Sequence, residues 1–589
     1  MASIPVIIKH QGKKHEVELD PSATGEELKM QLYSLTNVEP ERQKILIKGG
    51  QLKDDTPLSS LNAKKGQTFM MMGTPSGDAS STITRPTEQI KFAEDMTEAE
   101  LAQQDGATPA GLQNLGNTCY LNSALQTLRV IPELNDALSQ YKDSSASGSA
   151  SNNMLGDFNM GGSSLDLTGS LRDLYKQMSE TQEGFPPLLL LNSLRSQFPQ
   201  FAQKAKDGRG FAQQDAEEAW SSIVQTLRQK LRLEGDNKTT PPRTNNWVDK
   251  YLAGTFDQTM VCDDAEAKEE PVKSQDVFFK LDCNIRGDTN HMREGVSIGL
   301  NETIEKQSPS LNREATYTKA SRISRLPKYL PVHFVRFFWR RDTQKKAKIM
   351  RKVTFPMEFD IAEFCTEELR KQIIPVRDRI REVRKEEEDV ERAKKRQKRI
   401  QKEAADLDAL GPSEPLTKKT AAERQKEKES ETKEGGSKKE EKKNGQDVEM
   451  SGTETYKTDA EIDAERAAKV LEMKKELLSV VDPELAADEA SNQTGLYELC
   501  GVVTHQGGSA DSGHYTAYVK KGPKKDGTVE NKWWWFNDDK VSEVDAEKIE
   551  TLCGGGETHS ALILLYRAVP LPTKESLEAE EKRLSAAKA

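Results

Sequence analysis

Two short stretches far apart in the chain constrain it most, because each makes chemical sense only beside the other. The first is Gly111-Leu-Gln-Asn-Leu-Gly-Asn-Thr-Cys119-Tyr-Leu-Asn-Ser-Ala-Leu-Gln-Thr-Leu128. Gly116 and Asn117 predict a turn. Leu121, Ala124, Leu125 and Leu128 then follow the spacing of a buried helix face. Asn117 or Thr118 suits the N-cap, which puts Cys119 in the first helical turn. Unpaired amides and the helix dipole favour a thiolate there, and the thiolate is the nucleophilic form. Taken alone, Cys119 reads more readily as a small core residue, since most free cysteines are buried and inert. The second stretch lies nearly four hundred residues on: Tyr497 to Tyr515, containing Ser512-Gly-His514-Tyr515, then Trp533-Trp-Trp-Phe-Asn537-Asp538-Asp539. It supplies an imidazole and a choice of groups to orient it.

The remaining features set the context for that pair. A chain of 589 residues exceeds one domain, and its 35% apolar and 31% charged content requires some uncompacted segments. A net charge of −10 disfavours binding to nucleic acid or an anionic membrane, and no apolar run is long enough to span a bilayer. Six cysteines without a Cys-x-x-Cys pair form no disulfide framework and suit a reducing compartment. The expected localisation is cytoplasmic and nuclear.

At the N-terminus, Val6–Lys9, a turn at Gln11-Gly12 and His15–Leu19 predict a hairpin. Thr24-Gly-Glu-Glu27 is a capping-box pattern opening a helix that carries Leu28, Leu32 and Leu35. The strand Gln43–Lys48, a turn at Gly49-Gly50 and a last strand Thr68–Met72 complete a β-grasp unit over residues 1–75. Residues 76–105, rich in Pro, Ser, Thr, Asp and Glu, predict a flexible linker. A domain over 106–570 follows, with Ser144–Asn153 and Gly161-Gly162 as a loop insertion, a helix resuming at Leu165, and strands at Thr255–Val261, Val277–Leu281 and Leu330–Trp339. Residues 366–495 interrupt it. Arg377–Leu410 predicts a solvated helix laced with ion pairs, its apolar residues too sparse for a seam. Thr417–Thr458 predicts disorder and Ala460–Leu478 a helix. Lys394–Arg399 reads as a solvated helix face rather than a nuclear address. Strands at Tyr515–Val519, Trp533–Phe536 and Ala561–Tyr566 close the domain, and 571–589 is a charged tail.

The Cys119 and His514 segments resemble the Cys and His boxes of the ubiquitin-specific proteases, papain-like cysteine hydrolases that cut after the C-terminal glycine of ubiquitin. The resemblance implies an α+β chain: an N-terminal β-grasp ubiquitin-like domain and a fingers-palm-thumb protease domain. It implies that Cys119 is the nucleophile, His514 the general base and acid, and Asn537 the residue that orients His514. Asp538 is the alternative orienter, and His505 is a less well-placed competitor for the base. Asn114 falls where the family places its oxyanion-hole amide. Gly210-Phe-Ala-Gln213-Gln214-Asp215 resembles the segment that grips the basic ubiquitin tail, and Tyr515 joins it as a ubiquitin contact. Asp215 also suits a helix N-terminus, where its charge would favour the dipole.

Gly507, Gly508, Ser509, Ser512 and Gly513 resemble a gating loop that obstructs the tail cleft in the proteasome-associated members. The N-terminal unit is similar to ubiquitin, with Leu46 and Met72 where ubiquitin's apolar recognition face lies. The resemblance therefore implies docking on the regulatory particle of the 26S proteasome, with ubiquitin and ubiquitinated proteins as substrates and a free monomer. Many relatives bind zinc through two Cys-x-x-Cys pairs. Here Cys262 and Cys283 are single, with His291 nearby, so no metal or other cofactor is expected. The alternatives are a non-catalytic ubiquitin-binding scaffold on the proteasome and a general papain-like protease of unfolded chains.

Overall fold

The structure, a computed structural model, describes residues 3–73, 96–142, 166–233, 246–408 and 459–588, apart from 11–12, 37, 48–49, 62, 105, 206–207, 209, 341–344, 510–511 and 524–529. The expected turns at Gln11-Gly12 and Gly49, most of the 76–105 linker, the 144–153 and 161–162 insertion and the 417–458 segment lie outside those residues. The chain divides into two units, Met1–Met96 and Thr97–Ala589.

In the first unit the strands run Lys13–Leu19, Ile4–His10, Thr68–Met72, Lys44–Ile47, Gly50–Gln51 across one sheet, with Ile4–His10 and Thr68–Met72 parallel. The Gly25–Thr36 helix lays Leu28 and Leu32 on a core of Val6, Ile8, Val17, Ile45, Phe69 and Met71. Burying each such side chain stabilises the fold by roughly 1.5–3 kcal/mol. Leu35, expected on the same face, is 49% exposed. A strand alternates its side chains, so Phe69 and Met71 point inward and Met70 and Met72 outward. Met70 pairs in register with Leu46, leaving Leu46, Met70 and Met72 exposed on the sheet.

The second unit starts earlier than the linker boundary at 105 predicted. Thr97 caps a short helix, Glu98–Ala102, in a capping box, and Gln182 Nε2 donates to the Leu101 carbonyl at 3.0 Å. The central sheet has the order Lys540–Asp545, Lys532–Asn537, Ser512–Lys520, Leu496–Ser509, Ser560–Ala568, Tyr329–Val335, Leu281–Asn284. The Cys119–Leu128 helix, every residue buried, packs on the Ser512–Lys520 strand and the Ala216–Lys230 helix. That packing joins the two distant stretches.

A four-stranded sheet of Val272–Phe278, Gly254–Cys262, Glu314–Arg325 and Asn301–Gln307 stands apart from the central one. The strand predicted over Leu330–Trp339 breaks in two at Arg336. This guanidinium is fully buried and donates to the carbonyls of Ala561, Ile349, Arg351 and Cys553. The segment after it, Phe337–Arg340, pairs instead with Lys345–Lys348.

The insertion departs from expectation. The 42-residue helix Glu367–Asp408 does carry a seam, with Val376, Ile380, Val383 and Val390 all buried. Those positions lie along one face, and the Asp459–Val480 helix covers it, burying Val470, Leu471 and Leu477. Ion pairs flank the seam: Arg379 with Glu476, Lys469 with Glu386 at 3.1 Å, and Lys474 with Glu387 at 2.9 Å. The charged tail is a helix too, Lys574–Lys588, tied to the same arm by Lys474–Glu580 and Lys475–Glu581.

Candidate active site

Cys119 is the first residue of its helix, with Thr118 at the N-cap. The turn before it places Asn117 at a left-handed φ of 57°, a conformation asparagine tolerates better than most residues. Asn117 Nδ2 donates to the Phe211 carbonyl at 3.0 Å, tying this turn to the segment that carries Gln213, Gln214 and Asp215. The thiol receives a hydrogen bond from the Tyr515 backbone N–H and lies near the Asp538 carboxylate. Burial pushes it up to about 11, assisted by the Asp538 charge and opposed by the amides of Tyr515 and Tyr120. Loss of hydration thus works against the thiolate that the helix terminus alone would favour.

His514 lies on the Ser512–Lys520 strand and Asn537 ends the neighbouring Lys532–Asn537 strand. His514 Nε2 and Asn537 Oδ1 are 2.6 Å apart. With Asn537 Oδ1 accepting, Nε2 carries the proton and Nδ1 is the basic nitrogen. His505, the competing base, is fully buried edge-on to Phe337 and Tyr515. Burial, with Lys348 and His559 nearby, lowers it to about 3.

Asp538, the alternative orienter, points elsewhere. Its left-handed φ of 53° turns the carboxylate away from the imidazole and toward the Cys119 segment. Its oxygens accept from Asn114 Nδ2 at 3.0 Å and Asn122 Nδ2 at 2.8 Å, and its carbonyl accepts from the Leu112 N–H at 3.0 Å. Gly111 allows that approach, since a Cβ there would stand 2.4 Å from the Asp539 carbonyl oxygen. Asn114 Oδ1 in turn accepts from the backbone N–H groups of Gly116 at 3.0 Å and Thr118 at 3.2 Å. The Asn114 amide is thus held at both ends, with Asp538 taking one of its two Nδ2 hydrogens. Asn122, buried one turn beyond Cys119, went unnoticed in the sequence. Its only signal was a polar residue inside an apolar helical run.

Asp215 caps the Ala216–Lys230 helix through a 2.9 Å bond from the Glu217 N–H, and burial raises its carboxyl. Gln213 Nε2 donates to the Gly513 carbonyl at 3.1 Å, so this segment and the His514 strand touch beside Cys119. Gln214 Nε2 reaches the Ala212 carbonyl at 3.4 Å. The Tyr515 ring is fully buried, which corrects the expectation of a ubiquitin contact at Tyr515 as far as its side chain is concerned. Of the expected gating residues, Gly507 and Gly513 have left-handed φ, and Ser509 pairs with Ser512.

Cys262 lies on the four-stranded sheet, Cys283 on the central sheet with its thiol toward the Met292 carbonyl, and His291 bonds to Thr354. Among the described residues no three metal-ligating side chains cluster. No helix is long and apolar enough to cross a membrane among the described residues.

A cysteine at a helix start, packed on a strand that carries a histidine held by an asparagine, defines a papain-like cysteine hydrolase; here it follows a β-grasp domain. Residues 110–566 match the family model for ubiquitin carboxyl-terminal hydrolase, and residues 6–76 match that for the ubiquitin family. The chain is 42% identical over 565 residues to ubiquitin carboxyl-terminal hydrolase 6 of Schizosaccharomyces pombe, covering 96% of this chain and 99% of that one. To ubiquitin carboxyl-terminal hydrolase 6 of Arabidopsis thaliana it is 36% identical over 569 residues, covering 96% and 98%. To ubiquitin carboxyl-terminal hydrolase 14 of Caenorhabditis elegans it is 28% identical over 605 residues, covering 98% and 100%. The chain belongs to the ubiquitin carboxyl-terminal hydrolase family, as one of its ubiquitin-specific proteases with an N-terminal ubiquitin-like domain. It is a cysteine-type deubiquitinase.

Proposed function

We propose that this deubiquitinase works docked on the proteasome, held through its ubiquitin-like domain, and removes ubiquitin from proteins delivered there. The hydrogen bond between His514 and Asn537, on the strands that pack against the Cys119 helix, is the observation that carries the catalytic assignment. Because the Cys119 thiol sits near 11, attack begins with proton transfer rather than from a standing thiolate. His514 Nδ1 takes the Sγ proton as Sγ bonds to the carbonyl carbon of ubiquitin's C-terminal glycine. The carbonyl electron pair moves onto oxygen, where the Cys119 N–H and the second Nδ2 hydrogen of Asn114 receive it; one such donor is worth about 3 kcal/mol. Collapse expels the lysine amine, which takes its proton from His514. Water, deprotonated by His514, then hydrolyses the thioester and returns the thiol.

Gln213, Gln214 and Asp215 line the path to Cys119 and suit the basic ubiquitin tail, with Asp215 as the carboxylate for a guanidinium. The Gln506–Ser509 and Ser512–His514 arms border the same path and control entry to it. Docking is supported by the domain order and by the exposed apolar group Leu46, Met70 and Met72 on a small domain. The working locations are the cytoplasm and nucleus, and the free form is a monomer.

The test is hydrolysis of a ubiquitin C-terminal fluorogenic amide, alone and with proteasomes whose own deubiquitinases are inhibited. The full chain, Cys119→Ala and a chain lacking residues 1–75 are compared. Activity that is low alone, rises with proteasomes and requires both Cys119 and the N-terminal domain is the expected pattern. Equal activity with and without proteasomes would remove the docking and entry control and leave the chemistry.

A further inference from the structure

Lys348 ends the Lys345–Lys348 strand, opposite Phe337 of its partner strand. Its side chain is buried, and among the described residues it has no carboxylate partner. Nζ donates instead to the His505 carbonyl at 2.7 Å. That carbonyl also accepts from Ser560 Oγ at 3.2 Å, and it precedes the Gln506–Ser509 arm directly. A buried ammonium is costly to desolvate, and among the described residues its hydrogen bond to that carbonyl is what offsets the cost.

The surrounding groups extend the connection in both directions. The His505 ring lies edge-on to Phe337, with ring centres 5.3 Å apart, and to Tyr515 at 4.6 Å. Gly513 sits so closely on this ring that a Cβ would stand 2.5 Å from Nε2. Met350, two residues past Lys348, brings its methyl 3.3 Å from where a Gly508 Cβ would lie. The far side of Gly513 accepts from Gln213. A continuous set of contacts therefore runs from the Phe337–Arg340 and Lys345–Lys348 strand pair, through His505, to the Gly513–Gln213 contact over the path to Cys119.

We infer that Lys348 is a positioning residue of the tail cleft, tying this strand pair to the base of the Gln506–Ser509 and Ser512–His514 arms and so keeping Gly513 against Gln213. The consequence for substrate rests on the proposed entry control; the tie itself does not.

The experiment uses the full chain with Lys348→Met, Lys348→Arg and Met350→Ala. Replacing a buried ammonium with an apolar side chain of similar length relieves a desolvation cost, so Lys348→Met is expected to fold. Two quantities are read: amide hydrogen exchange in the 505–509 and 512–515 segments, and KM and kcat for a ubiquitin C-terminal amide. Losing a charged hydrogen bond is expected to speed exchange about tenfold in Lys348→Met, with less change in Met350→Ala. KM of the free enzyme is expected to fall severalfold at unchanged kcat, and Lys348→Arg to restore both readings. Unchanged exchange in Lys348→Met and Met350→Ala would overturn the tie, whatever the kinetics. Faster exchange with unchanged KM would uphold the tie and refute entry control by these arms.

Discussion

Replacing Asp538 separates its role from that of Asn537 more sharply than any other substitution. The carboxylate accepts from Asn114 and Asn122 and makes no bond to His514. Asp538→Asn keeps a residue that tolerates the 53° backbone but offers one acceptor oxygen where there were two. One amide loses its side-chain acceptor: Asn114, or Asn122, whose Nδ2 still has the carbonyls of Leu112 at 3.1 Å and Gln113 at 3.3 Å. If the Asn114 amide then swings away, the oxyanion loses a donor worth about 3 kcal/mol, or roughly a hundredfold in kcat. Partial retention of its orientation by the Gly116 and Thr118 amides sets the lower bound at about tenfold. KM should change by less than about threefold, because no substrate-binding group is removed.

A second readout carries the opposite sign. Asp538 raises the Cys119 thiol, so removing its charge should lower that value and speed alkylation of Cys119 by iodoacetamide near pH 8. Slower turnover with a more reactive thiol is the predicted signature. It would be refuted by unchanged kcat, or by slower turnover with slower alkylation, which would return Asp538 to the imidazole.

Other consequences follow from the same contacts. Asn537→Ala removes the hydrogen-bond partner of His514 Nε2 and should cut kcat by about a hundredfold while ubiquitin affinity, read by calorimetry on the Cys119→Ala background, stays the same. His505 and His559 are held neutral by burial, down to about 3 and about 4. Their folded values lie below the unfolded ones, so the unfolded chain binds more protons from about pH 6.5 down to about 3 and stability falls as pH drops through that window. Thermal melts should show this loss, and His505→Phe should flatten it. Leu46→Ala with Met72→Ala should abolish stimulation by proteasomes while leaving the free enzyme's kcat/KM unchanged, since both side chains lie on the separate N-terminal unit.

What could be read from the sequence was what depends on local order. The β-grasp strands, the helix opening at Cys119 and the His514 strand follow from periodicity and turn residues within a few positions. What escaped depends on contacts across the fold. The direction of Asp538 is set by one left-handed residue, which neither its type nor its neighbour Asn537 discloses. The thiol's rise reflects burial by elements distant in sequence, which the helix start visible locally does not disclose. The seam on Glu367–Asp408 looked too sparse because the helix covering it lies beyond a long polar segment. Lys348 gave no signal at all, being one lysine in a basic run until its ammonium is found on the His505 carbonyl.

The central claim is that Cys119 is the thiol that carries ubiquitin. Ubiquitin bearing a C-terminal electrophile, incubated with the full chain and followed by peptide mass spectrometry, tests it directly. The account predicts one adduct, on Cys119, absent in Cys119→Ala and slowed in Asn537→Ala. An adduct on any of the other five cysteines, or hydrolysis persisting in Cys119→Ala, would contradict it.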